Sequence, residues 1–282
     1  MKFEFYPLRF EWIALDAIQF PAGLPANLLR GALGATFRRL NCAPECGGAR
    51  ACDQRAYCPY ARVFEPRAAG SGPSGLADWP RPFCFRARHL DGRSVLPGES
   101  FDFDLHVFAR DPAMPAFFVL TFDQIARHGL GPRRGRAELR VVRRIAFDQD
   151  PGPTLFEGSR PVQPITPVAL DLAAAARPAR RLRVEFLSPT ELISGERPAA
   201  RPEFPILFAR IRDRISTLRA LYGAGPLEID FRASAARAAA VRMTRSEIRR
   251  VEYRRRSSRT GRRHPIGGFV GWADYEGELT DF

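Results

Sequence analysis

Lysine is almost missing from this 282-residue chain: Lys2 is the only one among 44 basic residues. The rest are arginines, whose planar fork suits phosphate and whose pKa above about 12 removes them as proton acceptors at neutral pH. Histidine is scarce as well, limited to His89, His106, His128 and His264. Proton-transfer chemistry therefore has few places to sit. No apolar run approaches the roughly 18 residues of a membrane span. The opening MKFEFYPLRFEW alternates apolar and polar positions where a signal peptide would be continuously apolar. The expectation is a cytoplasmic protein, and five cysteines in that setting do not read as a disulfide framework.

What the chain has in abundance is positive charge and aromatic residues. A formal net charge of +13 and a pI near 10.6 favour a polyanionic partner, and 45% hydrophobic content with 11% aromatic argues for folded domains. The charge is also clustered. YRRRSSRTGRRHPIGG, Tyr253–Gly268, carries Arg254, Arg255, Arg256, Arg259, Arg262 and Arg263 within ten positions. Such a run resists folding unless an anion offsets it, so it reads either as a phosphate track or as a solvated basic loop.

Periodicity divides the chain in two. Phe3, Phe5, Leu8, Phe10, Trp12 and Ala14 approximate a period of two, and LPANLLRGALGATFRRL follows with helical spacing from Pro25. FCFRARHL and FDFDLHVFA read as paired strands, PAMPAFFVLTFDQIARHGL as a second helix, and AELRVVRRIAF as a further strand. The order β-α-β-β-α-β is the ferredoxin-like split. A Cys-rich insertion spans residues 41–66, and a Pro/Ala-rich linker with room for one edge strand spans 148–180. The second half restarts with RLRVEFLSP, a helix in FPILFARIRDRISTLRALYG, and strands at PLEIDF, about 240–253, and FVGWADYEGEL. The fold class is therefore α+β: tandem ferredoxin-like domains at 1–175 and 176–282, the second incomplete at its C-terminus, with a basic hairpin at 253–266.

Two further features carry chemistry. HGLGPRRGR places Gly129, Gly131 and Gly135 among Arg133, Arg134 and Arg136, a pattern that lets backbone amides approach phosphate while side chains neutralise it. Cys42, Cys46, Cys52 and Cys58 have C-x3-C-x5-C-x5-C spacing, which four zinc-bound thiolates or four buried free thiols would both satisfy.

LLRGALGATFRRLNC…CPYARVFEP, GLGPRRGRAEL and YRRRSSRTGRRHPIGGFVGWADYEGEL together resemble the CRISPR-associated repeat-RNA endoribonucleases of the RAMP superfamily, with a character similar to the type IV branch. The resemblance implies two ferredoxin-like domains, a CRISPR repeat RNA substrate, cleavage without a metal, and retention of the product crRNA beside other effector subunits. It also implies a histidine on or after the first helix and a C-terminal glycine-rich loop. Residues 25–40 hold no histidine, and the sequence stops at Phe282.

Self-cleavage of RNA needs alignment of the ribose hydroxyl, removal of its proton and stabilisation of the extra charge. Arg30 and Arg38 on the first helix, Arg242 and His264 are the expected catalytic residues, with His128 a further histidine candidate. Gly129, Gly131, Arg133, Arg134, Arg136, Arg254, Arg255, Arg256, Ser257, Ser258, Arg259, Arg262 and Arg263 are the expected RNA contacts. The alternative is a non-catalytic crRNA-binding subunit of an effector complex.

Overall fold

The structure, a computed structural model, describes residues 1–43, 46, 52–66, 79–145, 152–158, 160, 162–173, 178–256, 263–280 and 282. For residues 254–256 and 263–266 the description covers the backbone alone. The chain forms two compact units, Glu4–Leu170 and Asp171–Phe282, the latter joined by Met1–Phe3. Leu172 donates to the Met1 carbonyl at 2.7 Å, and the Met1 ammonium meets Asp171 at 3.1 Å.

The first unit is built on β1 (Lys2–Ala14), α1 (Pro25–Asn41), the short α2 (Pro59–Phe64), β2 (Phe83–Arg86), β3 (Ser100–Val107), α3 (Met114–His128), β4 (Ala137–Arg144) and the edge strand β5 (Thr154–Glu157). The sheet order is β2-β3-β1-β4-β5, with each neighbouring pair antiparallel. Its first four strands are the ferredoxin-like arrangement. Alternation explains the layering. Leu8, Phe10, Trp12 and Ala14 on β1, and Phe101, Phe103, Leu105 and Val107 on β3, are all buried. Phe10 lies opposite Phe103, the rings stacked at 5.1 Å. Onto this face α1 sets Leu29, Leu33 and Phe37, spaced every fourth residue, while α3 sets Phe118, Phe122 and Ile125. Each such side chain contributes about 1.5–3 kcal/mol by burial.

The second unit contains β6 (Arg181–Thr190), α4 (Phe204–Tyr222), α5 (Phe231–Ala239), β7 (Arg242–Arg256) and β8 (Arg263–Glu276). Its sheet order is β7-β8-β6, the same succession as β2-β3-β1 in the first unit. The helix following β8 and the fourth strand that would complete the plan are absent among the described residues. The core gathers Phe186, Phe204, Leu207, Phe269, Ala273 and Tyr275, and the Tyr275 hydroxyl donates to the Pro202 carbonyl at 2.6 Å.

Three local expectations fail. PLEIDF is not a strand: Asp230 caps α5, its carboxylate accepting from the amides of Arg232 and Ala233 at 2.9 Å each. The Ala-rich run that follows has high helix propensity. FCFRARHL is a strand only to Arg86; Arg88–Leu90 is one 3-10 turn, so His89 is not a strand residue. The strands flanking the basic tip also run further than residue 253, pairing from Arg242↔Glu276 out to Arg256↔Arg263.

Candidate active site

The first unit holds a cleft of about 470 Å³ between α1 and the end of α3 with its following loop. Asn27, Gly31, Ala35 and Arg39 recur every fourth residue and so present one stripe of α1 to it. Gly31 and Ala35 carry little or no side chain, which leaves depth between the polar ends of the stripe. The far wall is made by Ile125, His128, Gly129, Gly131 and Arg134.

The far wall owes its shape to glycine. Gly129 ends α3 at φ 94°, and a Cβ there would sit 2.2 Å from the Arg134 carbonyl oxygen. Gly135 closes the loop through reciprocal bonds with Leu130 of 2.8 and 3.1 Å, and a Cβ there would sit 2.4 Å from the Ala17 oxygen. Between them Arg134 has φ 51°, a left-handed conformation that costs a non-glycine residue of order 1 kcal/mol or more. Arg134 is exposed and lines the cleft.

His128 is the last residue of α3 and is exposed. Its Nδ1 lies 2.8 Å from the Gln124 carbonyl oxygen. A carbonyl only accepts, so Nδ1 carries the proton and donates it.

Of the arginines expected on α1, neither Arg30 nor Arg38 lines this cleft. Arg38 lies one residue, about 100°, from Arg39. Its guanidinium donates to the Cys46 carbonyl at 3.0 Å and does not line the cleft. Arg30 is half-buried on α1 and also lies off the cleft stripe. Arg39, Asn27 and Thr36 were missed, although the small-residue stripe between polar ends was readable in NLLRGALGATFRR. In the loop, Gly129, Gly131 and Arg134 line the cleft, whereas Arg133 is exposed outside it. Arg136 is engaged by Asp16, Nε to Oδ2 at 2.8 Å, and this bond holds the Asp16 carboxyl below its ordinary value.

Arg242 and His264 belong to the second unit, where Arg242 opens β7 and is exposed. Of Arg254, Arg255, Arg256, Arg263 and His264 the backbone pairing is described, with Arg255 opposite His264. Ser257, Ser258, Arg259 and Arg262 lie outside the described residues.

The thiol of Cys42 neighbours those of Cys58 and Cys46. Burial, then these neighbours, pushes Cys42 up to about 12. All five cysteines are free, and among the described residues no three or more His, Cys, Asp or Glu side chains form a group arranged to hold a metal. Among the same residues no helix is long and apolar enough to cross a membrane.

Comparison with known proteins gives a family and a fold. The AF_1859_N family model, an N-terminal domain, matches residues 3–167. A Cas6 product complex aligns with 98% of this chain and 86% of its own at 16% identity, TM-score 0.51. Thermus thermophilus Cas6 aligns with 100% of this chain and 86% of its own at 14% identity, TM-score 0.52. The partial Cas6-RT-Cas1–Cas2 complex aligns over 98% of this chain and 40% of that one at 9% identity, TM-score 0.52. No curated protein sequence matches. At these identities the likeness to the solved structures is one of fold.

Proposed function

The chain belongs to the AF_1859_N family and has the fold of Cas6, and from that premise we propose that it is a metal-independent endoribonuclease. In this reading it binds the hairpin of a CRISPR repeat, cuts precursor crRNA through attack by a ribose 2'-hydroxyl, and stays bound to the mature guide. The observation that carries the reading is the α1–α3 cleft. It offers Arg39 and Arg134 to a phosphate and a histidine to a proton, and among the described residues its lining includes no carboxylate. Hard cations such as magnesium are held by carboxylate and carbonyl oxygens, so this donor set suits guanidinium stabilisation of a phosphorane better than a divalent ion.

Recognition falls, in the same reading, to the arginines of the second unit. Arg245, Arg249 and Arg250 are exposed on β7, and the strand continues into Arg254, Arg255 and Arg256. An A-form stem is read by shape and backbone, a task for cations spaced along a ribbon. The second reading, a non-catalytic crRNA-binding subunit, is favoured by one observation: α1, Pro25–Asn41, carries no histidine. A cleavage assay on the cognate repeat in excess chelator separates the two. Cutting of the ribose substrate, and none of the same RNA with deoxyribose at the scissile position, supports the enzyme; tight binding without a cut supports the subunit.

We extend the proposal to the thiols. The C-x3-C-x5-C-x5-C spacing of Cys42, Cys46, Cys52 and Cys58 is the ground for a structural zinc that would displace their protons. Among the described residues the thiols form no group arranged to hold a metal, so binding would have to draw them together. Metal analysis of the purified protein should then approach one equivalent of zinc per chain, and a clean absence removes the site.

A further inference from the structure

Among the described residues lining the cleft, one carries an imidazole, the side chain suited to taking a proton. Arg39 from α1 and Arg134 from the loop cannot take one, and Asn27 and Thr36 do not ionise. The remaining charges near the end of α3, Asp123 and Arg127, pair with each other at 2.9 Å. His128 is left. Elsewhere in the unit, His89 Nε2 is 2.8 Å from the Asp102 carbonyl oxygen, and the half-buried His106 ring packs against Phe5 at 5.3 Å.

We propose that His128 is the general base of the cleavage reaction, delivered to the cleft from the end of α3 across from the histidine-free α1. The proposal rests on the endoribonuclease reading above and names the residue that moves the proton. Three features support it. The bond from Nδ1 to the Gln124 carbonyl fixes the tautomer and leaves the lone pair of neutral imidazole on Nε2, the ring edge away from that bond. Gly129 turns the chain immediately after the ring, so the side chain stands at the helix end with Arg134 close by in the same lining. Arg39 and Arg134 line the same cleft and would supply charge stabilisation, so base and electrophilic clamp would occupy one cleft.

The step balances simply. Nε2 takes the proton of the 2'-hydroxyl; the 2'-oxygen forms a new bond to phosphorus as the bond from phosphorus to the 5'-oxygen breaks. The products are a 2',3'-cyclic phosphate and a 5'-hydroxyl, the latter completed by a proton from water.

The test is single-turnover cleavage by the full chain, with affinity for the uncleavable deoxyribose hairpin measured alongside. His128→Ala should slow cleavage about 10²–10⁴-fold, with affinity unchanged to within about twofold, and added imidazole should restore part of the rate. His128→Asn, which retains a donor for the Gln124 carbonyl but no ring lone pair, should be as slow as the alanine variant. The proposal is overturned by an alanine variant that cuts like wild type, by a loss of affinity equal to the loss of rate, by an imidazole-insensitive rate, or by an asparagine variant with restored activity. A wild-type protein that binds and does not cut overturns the endoribonuclease reading itself, a distinguishable result.

Discussion

The two units follow the same strand order but differ in how much apolar surface secures it. In the first, Phe10, Trp12, Phe103 and Phe122 form one mesh with ring centroids 4.9–6.2 Å apart, and two helices close over a six-stranded sheet. In the second, a three-strand sheet rests on the smaller cluster around Phe204, Phe269 and Tyr275, and β7 and β8 continue as a paired ribbon into arginine-rich sequence. Under the proposed function the difference becomes a division of labour. A cleft that must hold reacting atoms within fractions of an ångström belongs on the densely packed unit. A surface that follows the backbone of a nucleic acid is served by a ribbon with little core beneath it.

Core truncation should break this comparison most severely. Phe103→Ala removes a fully buried ring at the centre of the first mesh and should cost about 3–5 kcal/mol, read as a lowered urea midpoint and loss of both cutting and binding. In the second unit Tyr275→Phe leaves the Pro202 carbonyl without its buried donor. It should cost about 1–2 kcal/mol by the same measurement, with the cutting rate of the still-folded protein preserved. Asp230→Ala removes the α5 cap and should cost about 1 kcal/mol, seen as faster amide exchange at Arg232 and Ala233.

The smallest effect concerns pH. Burial, then the nearby Arg86, holds His106 below its usual value of 6.5, against the opposing pull of Asp104. The unfolded chain therefore binds more protons than the folded one. This contribution is complete above pH 6.5 and is lost as pH falls through the lower folded-state value. Urea midpoints at pH 7.5 and 5.5 should differ more for wild type than for His106→Phe.

The first unit was readable because a sheet buried on one face imposes strict alternation, and FDFDLHV shows it without interruption. The second misled at PLEIDF, where Leu227, Ile229 and Phe231 alternate like a strand. Only Leu227 is buried, and Asp230 turns the chain into a helix. The cleft was partly legible: its glycine loop and helix were identified, but a helix rotates about 100° per residue, and sequence alone did not separate Arg38 from Arg39. That choice was made by the Cys46 carbonyl, a contact across a loop with no periodic signal.

The most direct test of the division of labour measures single-turnover cutting and equilibrium binding side by side for Arg39→Ala in the cleft and Arg249→Ala on β7. The account predicts that Arg39→Ala slows cutting about 10²-fold or more with affinity nearly intact, and that Arg249→Ala weakens affinity while bound RNA is cut at the wild-type rate. Proportional loss of cutting and binding in both variants would contradict it.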